Sequence, residues 1–417
     1  METEIISTSL EAVRRLAISK QFLSGNAPEG PLNNRIKTII RSIGYIQWDP
    51  VTVVAPSHII SIWSRIGRYD RSVLDKMMWN DKEILLHSVP IAWIVLAEDY
   101  SIFYSLMKRY PDSMRRGWAS HVESAKKFLD SHKGLRQNII RKLEEGPAET
   151  SQFKRYGRRT KSPDGWGTGS EVGQLLFHLQ MTGEVMVSGH SGKQNVWSLA
   201  DQFLPGGIDR TIIPQYELEK KTAERALKAM GAATERDIFV YFIRGRYIDI
   251  KGTMKQLLDD GTVITVRVDG KPGGKQLYLL SQDRKALDSI MKDKWEPRLN
   301  LISPFDNIIT LRDRTKRVFN FDYKLEQFAP KDKRIYGTYV LPIMWGSNLV
   351  GRIDVKMDRN VNSLIINSVF AEPGFEGDSL IGEKLQEKIE EFASFLGTER
   401  IVYGAKKPEK WSRYLAQ

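Results

Sequence analysis

The chain has 417 residues, with 63 Lys+Arg against 51 Asp+Glu for a net charge of +12, and no cysteine. Disulfides, thiolate chemistry, iron–sulfur clusters and cysteine zinc sites are thereby excluded, and a polyanionic partner is favoured. The length calls for several domains in one body, and neither a membrane-length apolar run nor a secretory amino terminus is present, so a cytoplasmic protein is expected.

The first distinctive segment is RIKTIIRSIGYIQWD (35–49), a helix pattern closed by Gly44 and followed by strand-like alternation. On a strand, successive side chains point to opposite faces, so Gln47 and Asp49 share one surface while Ile46 and Trp48 share the other. Pro50 then ends regular pairing. Taken alone, this Gln-x-Asp is a strand end whose Asp opens a turn.

Between Lys108 and Lys161 the chain carries fifteen Lys or Arg against six Asp or Glu. Trp118, Phe128, Phe153 and Tyr156 interleave with these charges and Trp166 follows them, a composition suited to tracking phosphates. Further on, VGQLLFHLQMTGEVMVSGHSGKQNVWSL (172–199) reads as an amphipathic helix, a glycine, a strand, a glycine-rich turn and a second strand. The segment at 250–280 repeats that order. Leu179, Gly183 and Val185 match Leu257, Gly261 and Val263, and the Gly-Lys-Gln at 192–194 matches that at 274–276. A helix stopped by a left-handed glycine and followed by a hairpin is the second half of a winged helix. Helical segments at 135–145 and 224–243 supply its scaffold, and the 35–49 segment is a weaker third copy with Ile40 and Gly44 in register.

After about Met291 the character changes. A basic cluster, Arg312, Arg314, Lys316 and Arg317, precedes three alternating segments at 334–346, 349–358 and 363–372, and a closing helix spans 382–397. The fold class expected is therefore α+β, with three tandem winged-helix domains and a C-terminal antiparallel β-barrel-like domain. The expected boundaries are 1–100 for the first winged helix, carrying the Gln-x-Asp, and 101–215 for the second, with the basic segment. The third spans 216–285 and the β-rich domain 286–417.

The segment IGYIQWDPVTVVAPSHIISIWSR (43–65) resembles the signature of the AlkZ and YcaQ family of winged-helix DNA glycosylases, and LLHSVPIAW (85–93) extends the likeness. It continues through LISPFDNIITLRDRTKRVFNFDYKLE and YGTYVLPIMWGSNLVGRIDVKMDR, and the Asp in the motif points to the YcaQ-like branch. The resemblance implies Gln47 and Asp49 as catalytic residues, three winged helices with a C-terminal β-domain, and no metal or organic cofactor. Pro56 and Ile59 beside His58, and Ser88 after His87, depart from the family pattern and leave both histidines as site neighbours. An alkylated purine is a cationic leaving group, so the implied chemistry reduces to stabilising an oxocarbenium-like sugar and aiming a water.

The function expected is hydrolytic release of N7- or N3-alkylated purines, interstrand crosslinks included, by a monofunctional DNA glycosylase that leaves an abasic site. The partner is double-stranded DNA with alkylated bases, bound by a monomer in the nucleoid. The expected DNA contacts are Arg65, Lys193 and Gln194 with Lys275 on the hairpins, and Arg312, Arg314, Lys316 and Arg317. The alternative is a winged-helix regulator or architectural protein that cuts no bond. A nuclease ranks below both, because the acidic groupings Asp259 with Asp260, and Glu387 with Glu390 and Glu391, read as a helix end and a solvated helix face.

Overall fold

The computed structural model describes residues 5–89, 91–114, 119–158, 170–192, 194–269 and 276–415. Lys193, Lys275, Trp118 and Trp166 lie outside them. The chain forms two compact units, one of Met1–Arg71, Ala223–Phe242 and Lys251–Gln417, the other of Ser72–Thr222 and Ile243–Ile250.

In the first unit, Ser9 caps the Leu10–Lys20 helix by accepting the amide of Ala12 at 3.0 Å. The Leu32–Ile43 helix buries a stripe of Ile36, Ile39, Ile40 and Ile43, each 0 % exposed. It ends at Gly44, where φ is +83° and a Cβ would meet the Phe242 ring at 2.9 Å, so only glycine serves there. The two-residue strand Ile46–Gln47 follows at once, and then the wholly buried helix Ser57–Ile66. The Ile250–Asp259 helix, Gly261 at φ +74° and the hairpin Val263–Val268 with Leu277–Leu280 form a second helix–glycine–strand unit. Strand Ile5–Thr8 joins that hairpin in parallel, Ile5 opposite Thr265. The long separation in sequence makes this pairing invisible to local pattern.

The C-terminal β-rich domain is an open sheet of five strands, not a barrel. Its order is Leu299–Leu301, Val340–Trp345, Asn348–Asp358, Ser363–Ala371 and Arg400–Lys406, with the two end strands unpaired to each other. The last strand runs parallel to its neighbour, which requires a crossover, and the Ser379–Leu396 helix supplies it. That helix buries Ile381, Leu385, Ile389 and Phe392, and the Phe392 ring packs at a tilt against Trp63 with centroids 4.6 Å apart.

In the second unit, Ile84–Val89 and Ile91–Leu96 form an antiparallel hairpin ahead of the Tyr100–Lys108 helix. Ser170 caps the Glu171–Met181 helix, Gly183 follows at φ +76°, and strand Gln194–Leu199 lies between Val185–Ser191 and Ala148–Glu149 in a three-stranded sheet. The matched residues of the sequence repeat occupy matched roles. Leu179 and Leu257 are both 0 % exposed, and Val185 and Val263 open the strands at 0 % and 1 %. No helix among the described residues is long and apolar enough to cross a membrane.

Candidate functional site

Gln47 and Asp49 lie where one rigid segment passes between two helices. The strand holding Gln47 begins two residues after Gly44, so the glycine turn fixes the direction in which the pair leaves the helix. Asp49 Oδ1 accepts the amide of Val51 at 2.8 Å, and the Asp49 carbonyl accepts the amide of Ser57 at the start of the next helix at 3.2 Å. Between them, the amide of Met357 donates to Val53 O at 3.0 Å, and Arg359 donates to Thr52 O at 2.9 Å and Val54 O at 3.1 Å. The loop after Asp49 is thus tied to the end of the longest sheet strand. Trp48, between Gln47 and Asp49, stacks on His58 with ring centroids 4.1 Å apart and planes 12° apart.

This bracing leaves the two chemically active groups uncommitted. Gln47 is 8 % exposed, yet its amide makes no hydrogen bond among the described residues. A buried amide ordinarily satisfies its donors and acceptors within the fold. Asp49 accepts only the Val51 amide, through one oxygen, so Oδ2 has no partner among the described residues. Burial holds the Asp49 carboxyl above its ordinary value, with the Val51 hydrogen bond acting the other way, and no basic side chain among the described residues offsets the charge. Among the described residues, the site is therefore a half-buried carboxyl without a basic partner, beside a side-chain amide without a hydrogen bond.

Tyr339 belongs to the same surroundings and escaped the sequence reading. It is 0 % exposed, and its hydroxyl has no hydrogen-bond partner among the described residues. Burial first, and then the charge of Asp49, raise its pKa. Its backbone amide donates to Asp354 Oδ1 at 2.9 Å, which fixes the ring at the entry to the Val340–Trp345 strand. A tyrosine in an alternating strand segment reads as core, so only proximity to Asp49 distinguishes it.

The two histidines differ. His58 is 4 % exposed and serves as the stacking platform of Trp48. His87 lies in the second unit, packed on Phe103 at 4.6 Å, and burial, followed by the charge of Arg246, lowers its pKa to about 3. It is neutral at physiological pH and cannot deliver a proton from an imidazolium.

Several expected DNA contacts are corrected by burial. Arg65 is 0 % exposed, donating from Nη1 to Asp306 Oδ2 at 2.6 Å and to Ser61 O at 2.7 Å, and from Nη2 to Asp306 Oδ1 at 2.9 Å. Arg314 is 3 % exposed and donates to Met230 O and Ala232 O, carbonyls left open where the preceding helix ends. Neither can reach a phosphate. The basic cluster forms the helix Arg312–Phe319, whose buried residues include Arg314. Arg312 is spent on Ile309 O and Pro304 O and lies over the Tyr323 ring at 4.4 Å, and Arg317 pairs with Asp237. Lys316 alone of the four is exposed, in a surface pair with Asp322 at 2.7 Å. Gln194 is exposed and accepts the amide of Ser151 at 3.1 Å.

In the basic stretch, Phe153 is core at 0 % exposure and Phe128 stacks on His132 at 4.0 Å, so these rings do not form an open stacking surface. Arg141, Lys154, Arg155 and Arg158 are exposed, and none of their side chains forms an ion pair with a carboxylate among the described residues, although the charge of Arg155 helps lower the pKa of Glu145. No three His, Asp or Glu among those residues lie close enough together to hold a metal ion.

A family model described as DNA glycosylase AlkZ-like matches residues 40–395. Among solved structures, the DNA glycosylase AlkZ of Streptomyces sahachiroi is similar, with a TM-score of 0.63 and 14 % identity over 95 % of this chain and 99 % of that one. That likeness is one of fold.

Proposed function

This chain belongs to the AlkZ-like DNA glycosylase family of DNA repair enzymes, and we propose that it hydrolyses the N-glycosidic bond of N7- and N3-alkylated purines by direct attack of water. The observation that carries the proposal is the pair of uncommitted groups, the Gln47 amide and Asp49 Oδ2, on one braced segment. An alkylated purine leaves as a neutral base, taking the bonding electrons and placing positive charge on C1′ and the ring oxygen of the sugar. The Asp49 carboxylate, half-buried and without a basic partner among the described residues, gains most when that charge develops, which is the condition for transition-state rather than ground-state stabilisation. A water held by Gln47 then bonds to C1′ and yields its proton to Asp49, leaving the abasic site. The raised pKa makes Asp49 a better base than an ordinary aspartate.

The three helix–glycine–strand segments are read as three winged helices, and the protein acts as a monomer on duplex DNA in the cytoplasm. Binding is independent of sequence and runs through phosphates, with Arg141, Lys154, Arg155, Arg158 and Lys316 as contacts. Crosslinked and bulky adducts are substrates. Glycosylase action distinguishes this reading from a non-catalytic regulator, which releases no base.

The test is a duplex carrying one N7-alkylguanine, incubated with the protein and then heated or treated with alkali. Strand scission should appear only after that treatment, should survive EDTA, and should leave no protein–DNA adduct on addition of borohydride. A trapped adduct would mean an amine nucleophile and would overturn the direct attack of water.

A further inference from the structure

In the second unit, away from Gln47 and Asp49 in sequence, a cavity of 490 Å³ opens beside the loop at residues 244–248. Leu106, Met114 and Ile248 give it an apolar lining, and Arg109 and Arg246 line it with positive charge. Arg109 is locked in place, donating to Ser105 O at 2.9 Å and Ile213 O at 2.6 Å. Arg246 is different. Its guanidinium makes no hydrogen bond and no ion pair among the described residues, although burial lowers its pKa to about 10. An arginine taken partly out of water is ordinarily paired, as Arg65 is with Asp306 and Arg352 with Glu372.

The nearby carboxylates are engaged elsewhere. Asp112 pairs with Lys126 at 2.7 Å, and Glu219 accepts the amides of Ile248 at 2.8 Å and Asp249 at 3.2 Å together with the side-chain amide of Gln215 at 2.6 Å. The backbone that presents Arg246 is itself unusual. Arg244 and Gly245 stand consecutively in the left-handed region, at φ +53° and +82°, and Arg244 is held over the Trp93 ring at 5.2 Å. A non-glycine residue in that conformation is disfavoured and persists where the surrounding structure imposes it. The next residue, Arg246, lines the cavity.

We propose that this cavity is a binding site for a phosphoryl oxyanion, with Arg246 as its forked donor and Arg109 as a second positive wall. A guanidinium offers two parallel N–H groups to two phosphate oxygens, and the apolar lining strengthens the attraction. The phosphoryl group is either a phosphodiester of the DNA backbone or a free phosphate. The site is independent of the glycosylase chemistry, and its test does not read base release.

Thermal unfolding of the full-length protein is compared in inorganic phosphate and in chloride at equal ionic strength, and binding of an undamaged duplex is measured by anisotropy across a salt series. Phosphate should raise the melting temperature of the wild type in a saturating manner. Arg246→Gln should abolish that increment, and Arg246→Lys, which keeps the charge and loses the fork, should retain part of it. If the natural ligand is a DNA phosphodiester, Arg246→Gln should also lower the slope of log affinity against log salt by about 0.9. If it is a free phosphate, the slope should be unchanged. The proposal is overturned if the wild type melts identically in the two salts, or if phosphate stabilises the wild type and Arg246→Gln equally. The wild-type comparison needs no variant, so a failure of Arg246→Gln to fold would not shield the proposal.

Discussion

The buried ion pair between Arg65 and Asp306 gives the strongest stability prediction. Both side chains are 0 % exposed, and the guanidinium meets the carboxylate through two hydrogen bonds, at 2.6 and 2.9 Å. Asp306→Asn keeps the shape and leaves an arginine charge in the core with no counter-ion. Arg65→Met leaves the carboxylate in the same position. Breaking a buried pair from one side costs about 3–5 kcal/mol, because the surviving charge remains desolvated. Removing both charges together should cost less than the sum of the single changes, by roughly 0.5–3 kcal/mol of coupling. Urea denaturation followed by tryptophan fluorescence reads all four proteins, with the denaturant slope as a check that the unfolding reaction is unchanged. Single variants that each lose under about 1 kcal/mol, with additive effects, would refute the reasoning, since exposed pairs behave that way. The same Arg65→Met protein should bind DNA with the wild-type salt dependence, as expected of a side chain that never meets a phosphate.

Asp49→Asn should raise the melting temperature at pH 7. Burial holds the folded-state pKa above the unfolded one, so the charged form weakens the fold, and the advantage of Asn should shrink as pH falls through the raised pKa; a lower melting temperature at pH 7 would contradict this. Base release by the wild type should decline on the acid side as Asp49 takes up a proton, with a midpoint above the ordinary carboxylate range, and a flat profile down to that range would remove Asp49 as the base. Log DNA affinity should fall with log salt at about −0.9 per phosphate contact. Replacing Arg141 and Lys154 together with Glu should weaken binding on every sequence, and an unchanged affinity would move the DNA surface elsewhere.

How far the sequence could be read depended on whether a feature was local. Helix–glycine–strand units were legible because each is set by residues within a few turns, and Leu179 with Gly183 and Leu257 with Gly261 do occupy equivalent places. The parallel docking of Ile5–Thr8 on Val263–Val268 was not legible, since pairing across so much chain leaves no periodic trace. The open sheet was misread as barrel-like because alternation marks strands without saying whether the ends meet, and the crossover before Arg400–Lys406 decided it. At the candidate site, Gln47 and Asp49 could be singled out from sequence as candidates, but that the Gln47 amide and Asp49 Oδ2 have no partner among the described residues could not. The arginine cluster misled because charge in sequence looks the same whether it faces water or, as in Arg314, caps carbonyls inside the fold.

The account rests on Asp49 stabilising a developing cation, and single-turnover release of an N7-alkylated purine by Asp49→Asn, beside the wild type on the same duplex, tests that most directly. The substitution preserves shape and the Val51 hydrogen bond while removing the charge, so the rate should fall by about 10² to 10⁴ with DNA affinity unchanged. Gln47→Ala should fall by less, because a neutral amide orients water without opposing positive charge. Equal rates for wild type and Asp49→Asn would contradict the account and place the chemistry on other residues.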